Sequence, residues 1–455
     1  MRLSRLLPLF LLILGGSAAS TAQAPAPAEQ QPVTVVHAGT LLDRPGRPPR
    51  RSASIVIRGG RIVAVQDGFA PVPAGGRLID LRGQFVLPGL IDSHVHLTSD
   101  RAGTEGLVAG LTESPALRAH EAAWNARKTL DAGFTTVRNL GSEGGITLGL
   151  RDAIARGWAV GPRIVDAGSG ISASTGHMDP TLGMREELHE ALRAEMTTCD
   201  GAEECRRAVR RQIARGVDVI KIATTGGVNS RIGLGLGAQM FEDEVRALIE
   251  TAHLYGKKVA VHAHGADGIN MALRAGADSI EHGTLIDDES LRLFRQRSAY
   301  YVPTLSTVNG YLERLRANPN AYPPDVREKI EWRIGITGQA LRRAVPAGVR
   351  IAFGTDSGVS RHGRNADEFL LMVQHGMTPM QALVAATVNA ADLLGLSAEI
   401  GTIESGKAAD IVAVTGDPLR DISVMQRPAF VMRGGRVHFQ LALERASASG
   451  IGSMQ

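Results

Sequence analysis

The sequence predicts an α/β chain, a (β/α)8 TIM-like barrel accompanied by a small β-sandwich domain built from both termini. Three observations carry this reading. Between Leu87 and Leu396 short apolar runs alternate with amphipathic stretches of helical period. At both ends the pattern changes to pairs of strand-like runs flanking Gly-Gly, a dipeptide suited to a two-residue hairpin. Residues with metal-ligand or proton-transfer chemistry fall at the C-terminal ends of the expected strands, the face on which such barrels carry active sites.

Residues 1–24 stand apart. Arg2 and Arg5 precede the apolar run Leu6 to Leu14, and small residues follow to Ala22-Gln23-Ala24, the order of a secretory signal peptide with cleavage expected after Ala22. The run is well short of the roughly 20 residues that span a bilayer, and no comparable stretch follows. No Cys lies near the cleavage region to carry a lipid. The expected location is periplasmic or secreted, without a membrane anchor.

Residues 25–86 and 397–455 are assigned to the sandwich. Ser54 to Arg58 and Arg61 to Val65 flank Gly59-Gly60 in the first part. In the second, Ala409 to Thr415 supplies a strand, and Ala429 to Arg433 and Arg436 to Phe439 flank Gly434-Gly435. Residues 87–396 form the barrel. Its eight expected strands are Gly89 to Leu97, Thr135 to Leu140, Arg163 to Ala167, Val217 to Ala223, Lys258 to His264, Ser279 to His282, Tyr301 to Leu305 and Val349 to Asp356. Helices are expected over Ala116 to Ala132, Glu203 to Arg215, Glu242 to Tyr255 and Asp325 to Ala344, with Gly133, Gly216, Gly256 and Gly348 as stops.

Composition narrows the function. The 50 basic residues barely exceed the 46 acidic ones, aromatic residues are only 4%, and no basic stripe appears, which argues against a nucleic-acid partner. The two cysteines, Cys199 and Cys205, are too few for a zinc site of their own. After export they are placed for a local disulfide.

Strand one ends Asp92-Ser93-His94-Val95-His96, and a period of two points both imidazoles to one face, where they can grip a metal ion. On strand four Lys221 shares the inward face of Val219 and Ala223. A buried ammonium is costly. It either snorkels to the barrel rim or has reacted with carbon dioxide to form an anionic carbamate that bridges two metal ions. Strand five ends His262-Ala263-His264, strand six Glu281-His282, and strand eight Thr355-Asp356, while a loop contributes His177. Six other histidines, His37, His120, His189, His253, His375 and His438, fall away from these strand ends and are read as structural or exposed.

In this order, His-x-His on strand one, Lys on strand four, His on strands five and six and Asp on strand eight, the chain resembles the binuclear amidohydrolase superfamily. Leu87 to Asp92 (LPGLID) and Gly401 to Val414 (GTIESGKAADIVAV) fit as flanking segments. Ala260 to Gly265, Ser279 to Thr284 and His362-Gly363 make it most similar to the imidazolonepropionase-like branch, which includes Xaa-Pro dipeptidase-like carboxypeptidases and ochratoxin-hydrolysing amidases. The resemblance implies two divalent metal ions, with zinc expected. His94, His96 and Asp356 would hold one, His262 and His282 the other, and carbamylated Lys221 would bridge them. His264 becomes a catalytic or substrate-facing group, although strand geometry alone does not separate it from His262. Asp356 would also shuttle the proton to the leaving amine.

His177 resembles a residue of a family active-site loop, but the doubled Gly usual before it is shortened here. Asn139 stands where relatives commonly have Asp, at a position that holds no metal. The implied substrate is a small-molecule amide: a dipeptide or N-acyl amino acid with a free carboxylate, ochratoxin-like amides included. His177, Arg231 and His264 are the expected substrate-binding residues, Arg231 through a bidentate contact to the carboxylate. Hydrolysis of a cyclic amide, lactone or phosphotriester at the same centre is the alternative chemistry. A binding protein without catalysis is the alternative class, against which Asp356 counts. A homo-oligomer is expected.

Overall fold

The computed structural model of the chain describes residues 32–101, 103–193, 198–230 and 235–441; the expected signal peptide and Arg231 lie outside them. Four strands open the chain: β1 (Thr34–Leu41), β2 (Arg50–Arg58), β3 (Arg61–Asp67) and β4 (Arg77–Pro88). Eight follow in the barrel: β5 (Leu90–Val95), β6 (Phe134–Asn139), β7 (Arg163–Asp166), β8 (Ile220–Ala223), β9 (Val259–Ala263), β10 (Ser279–His282), β11 (Tyr300–Val302) and β12 (Arg350–Ile351). Three more, β13 (Ile411–Val414), β14 (Pro428–Arg433) and β15 (Arg436–Gln440), return to the first group.

The terminal strands form one sheet in the order β15-β14-β13-β4-β1-β2-β3. Both Gly-Gly hairpins form, as β2–β3 and β14–β15. The sheet then curls on itself. The amide of Ile62 in β3 donates to Lys407 O (2.9 Å), and those of Gly406 and Ala409 donate to Ile62 O (2.8 Å) and Gly60 O (2.9 Å). The chain leading into β13 thus covers the edge of β3, which would otherwise offer unpaired backbone groups. Val36, Ile55, Ile79, Ile411, Phe430 and Met432 fill the enclosed core. Full burial of each such side chain is worth roughly 1.5–3 kcal/mol.

In the barrel, β12-β11-β10-β9-β8 and β5-β6-β7 make two parallel ladders. Backbone bonds join them on both sides. Asp218 N donates to Asp166 O (2.8 Å) and Ile171 N to Lys221 O (2.9 Å) between β7 and β8. At the other seam Ser93 N donates to Phe353 O (2.8 Å), Asp356 N to His94 O (2.8 Å) and His96 N to Ser357 O (2.7 Å). Leu140, Ala167, Val219 and Ala260 pack together inside, so the interior is a filled core rather than a pore.

Two expected elements differ. Of the strand Val349 to Asp356 only Arg350–Ile351 is regular. Beyond it, Phe353 N donates to Ala385 O (3.0 Å) and Asp356 takes φ +56°, so regular strand geometry ends there although bonds to the neighbouring strands β5 and β11 continue. The helix expected over Asp325 to Ala344 is broken into Pro324–Gly335 and Gln339–Ala344. Gly338 reverses the chain at φ +78°, and a Cβ there would lie 2.1 Å from the His375 ring. The other three expected helices appear as Pro115–Asp131, Ala202–Ala214 and Glu242–Leu254. Gly133, Gly216, Gly256 and Gly348 all take positive φ. Cys199 and Cys205 form a disulfide that ties the start of the helix Ala202–Ala214 to the segment before it.

Candidate metal centre

The C-terminal ends of the barrel strands surround a cavity of about 220 Å³. Its lining includes His94, His96, His177, Lys221, His262, His264, His282 and Asp356. These are all the expected site residues that the structure describes. Two trios of ligand atoms come within 4.8 Å of one another: His262, His264 and His282, and His94, His282 and Asp356. His282 belongs to both, so the two groups are contiguous. His264 sits inside a trio, and its grouping leaves the choice between it and His262 as ligand to chemistry rather than proximity.

How each imidazole is held decides which nitrogen it presents. His94 Nδ1 donates to the Glu281 carboxylate (2.9 Å). Nδ1 of His264 bonds Thr284 Oγ1 (2.7 Å), and that of His282 bonds Thr304 Oγ1 (2.7 Å). His96 is held by Nδ1 against Gly141 O (3.4 Å), and His262 by Nε2 against Gly226 O (3.4 Å). One nitrogen of each ring is engaged by the protein and the other is left for the cavity, the arrangement in which second contacts orient metal-binding histidines.

Electrostatics sharpen this. Burial lowers the His94 pKa to about 4, with the Lys221 charge adding to the effect. The ring is therefore neutral at neutral pH. With its proton on Nδ1, Nε2 presents a lone pair to Asp356 Oδ1 at 3.5 Å, and His96 Nε2 lies 3.3 Å from the same oxygen. Burial pushes the Asp356 carboxyl up, but the fields of His94 and His96 and a hydrogen bond from His96 outweigh it, and its pKa lies below the usual value. The lone pair of His94 and the anionic oxygen converge, a conflict that a cation between them resolves. The donor set of imidazoles and a carboxylate fits a divalent metal ion.

Lys221 is buried on β8, and none of the ion pairs of the site includes it among the described residues. Burial lowers its pKa to about 8 against the opposing pull of Glu281 and Asp356. His177 stacks on His262 with ring centroids 3.9 Å apart; Ser230 Oγ meets its Nδ1, and its amide donates to Gln239 Oε1 (2.8 Å). A Cβ on Gly227 would lie 2.4 Å from that ring, so glycine is needed for the loop to reach it. Burial pulls the His177 pKa to about 3.

Four supporting residues carried no assignment from the sequence. Glu281 and Arg138 are both fully buried and paired (2.8 Å), Arg138 also donating to Ser93 O (2.6 Å) and Ser279 Oγ (3.1 Å). Asp92 accepts from Thr355 Oγ1 (2.7 Å), Asn365 Nδ2 (2.8 Å) and the His94 amide (3.1 Å), and so ties β5 to the segment carrying Asp356. Arg333 enters the cavity from the helix Pro324–Gly335. The signals were Asp92 and Glu281 two and one positions before a histidine. Asn139 accepts from Leu97 N (2.9 Å) and donates toward Asp166 Oδ1 (3.3 Å), a double role that an ionised Asp there could not fill.

Backbone strain gathers at the same place. Seven non-glycine residues have positive φ among the described residues, and five of them belong to the site or its supports: Thr175, Met178, His282, Thr304 and Asp356. Such conformations cost of order 1–3 kcal/mol each and persist where the surroundings fix them.

Residues 85–438 match the model of the Amidohydrolase family. The chain is 31% identical over 428 residues to an ochratoxinase of Aspergillus niger, covering 90% of this chain and 87% of that one. It is 29% identical over 416 residues to an imidazolonepropionase of Symbiobacterium thermophilum, covering 84% and 90%. A Xaa-Pro dipeptidase crystallised with methionine in its active site superposes with a TM-score of 0.83 at 39% identity, over 89% of this chain and 99% of that one.

Proposed function

The chain belongs to the amidohydrolase family and is a hydrolase of carbon–nitrogen bonds; from that premise we propose that it cleaves the amide bond of a dipeptide or N-acyl amino acid with two divalent metal ions. The observation that carries the proposal is the convergence of the His94 lone pair and the Asp356 carboxylate beside a contiguous histidine trio. His94, His96 and Asp356 would hold one ion and His262 and His282 the other. Lys221, as its carbamate, would serve as a ligand to both. Its lowered pKa supports this, because carbon dioxide reacts with the neutral amine.

When bound, such ions would supply Lewis acidity toward water and the scissile carbonyl. Asp356 accepts the proton of the attacking water and returns it to the leaving nitrogen. His264, kept neutral by burial, positions the carbonyl, and His177 closes the cavity wall over His262. The helices Thr307–Ala317 and Pro324–Gly335 pack Tyr311, Val326 and Ile330 against Val228 beside the site. Zinc suits the imidazole and carboxylate donors. The free carboxylate of the substrate is supported by the methionine bound in the active site of the similar dipeptidase. The charge and apolar order of residues 1–24 and the Cys199–Cys205 disulfide support export to the periplasm or medium.

The test is metal analysis coupled to an assay against a panel of dipeptides and N-acyl amino acids, with lactones and phosphotriesters alongside. Two ions per chain and turnover confined to the amides is the expected result. Turnover of only the lactones or phosphotriesters would overturn the substrate class, and no turnover with both ions bound would favour a binding protein.

A further inference from the structure

Among the described residues the fold buries three arginines, Arg138, Arg314 and Arg333. Arg138 is satisfied by Glu281 and two further acceptors. Arg314 donates to the carbonyls of Val359, Gly358 and Asp100. Arg333 differs. It is only 4% exposed, and its hydrogen bonding amounts to Nη1 donating to Thr337 Oγ1 (3.2 Å), with no ion pair among the described residues. A guanidinium has five N–H donors, and a buried charge without a partner costs several kcal/mol. The same side chain lines the cavity that holds His264 and Asp356.

The break after Pro324–Gly335 explains how it is held there. Thr337 donates its hydroxyl back to Arg333 O (2.9 Å) and accepts from Nη1, so one turn of chain fixes both ends of the residue. Around the cavity Val228, Tyr311 and Val359 provide apolar surface, and Asn229 a polar group.

We propose that Arg333 is the anion receptor of the site: it takes the free α-carboxylate of the substrate through a bidentate contact, and the adjoining side chain rests against Val228, Tyr311 and Val359. The inference rests on the amide-hydrolase reading above and deepens it, since it makes the enzyme a reader of the carboxyl end of the scissile bond. It also moves to Arg333 the role that the sequence gave to Arg231. A planar fork at a fixed distance from the reacting carbonyl selects amides one carbon away from a carboxylate.

The experiment compares N-acetyl-L-methionine with N-acetyl-L-methioninamide as substrates of the metal-loaded wild type and of Arg333→Met, Arg333→Lys and Arg231→Met. Calorimetric binding of L-methionine and metal content are measured on each. The expected result is that Arg333→Met keeps its metal while the free-acid over amide ratio of kcat/KM falls by about 10²-fold. Methionine binding weakens in parallel, and Arg333→Lys restores part of both. Equal losses on the two substrates, no loss, or the whole effect in Arg231→Met overturns the assignment. If the wild type cleaves neither substrate, the amide reading falls for these acyl groups, and methionine binding to wild type and Arg333→Met still decides the receptor.

Discussion

Removal of Arg138 tests whether the charge relay beneath the site is structural. Arg138→Met deletes a guanidinium that is 1% exposed and leaves Glu281, at 0%, with only His94 Nδ1 and Ser279 Oγ as partners. Removing one partner of a buried ion pair costs about 3–5 kcal/mol, because the other charge is stranded. The double variant Arg138→Met/Glu281→Gln strands no charge and should recover about 2 kcal/mol or more relative to the sum of the singles. The pH dependence follows with its own sign. In the wild type, burial pushes Glu281 up, but Arg138 and His94 hold its pKa at about 2. Its stabilisation is then present above the unfolded value of about 4.3 and is lost only as pH falls through 2. Without Arg138 the burial effect prevails and the folded pKa rises above the unfolded one. The deficit of the variant should therefore be largest at neutral pH and shrink below about pH 4. Urea unfolding of the chelated proteins at pH 7 and pH 4 measures both quantities. Additive single losses, or a deficit that grows on acidification, would refute the reasoning.

Asp356→Asn keeps size and one coordinating oxygen but cannot take a proton; kcat should fall by about 10²–10⁴ with KM changed far less, and the acidic limb of the pH profile should vanish. Wild-type kcat with full metal would remove Asp356 from proton transfer. Lys221→Ala should lose metal and activity together, with formate or acetate restoring part of both; two ions and normal turnover without added anion would exclude a bridge. His262→Ala should lose metal while His264→Ala keeps it and loses about 10² in rate. Metal analysis showing the reverse would exchange the two roles.

Much of this molecule was legible because its chemistry sits on regular elements. Period two put His94 beside His96 and His262 beside His264, and the structure brings all four into one cavity. The Gly-Gly hairpins and the glycine helix stops were legible because positive φ leaves a mark in the sequence. What was missed depends on distance across the barrel. Nothing local to Arg138 announces Glu281, a residue 143 positions away. Arg333 could not be told from other arginines, since its meaning lies in having only Thr337 Oγ1 as acceptor among the described residues. Strand eight was drawn too long because Ala352 and Phe353 continue its apolar run and its bonding to neighbouring strands, yet Phe353 N turns to Ala385 O and the backbone turns at Asp356.

The pairing of β4 with β13 also governs how the chain must come together in time. Ile411 sits opposite Pro88, and the barrel lies between them in the sequence. On a ribosome, the β1–β4 ladder can form early, but the other edge of β4 waits for residues made after the barrel is finished. Contacts of such high sequence separation fold slowly. Until they form, β4 is an open template for a neighbouring nascent chain. Chains ending before Ile411 keep that edge of β4 unpaired, so truncation there should give aggregates rather than a smaller working enzyme, as size-exclusion chromatography of such chains would show.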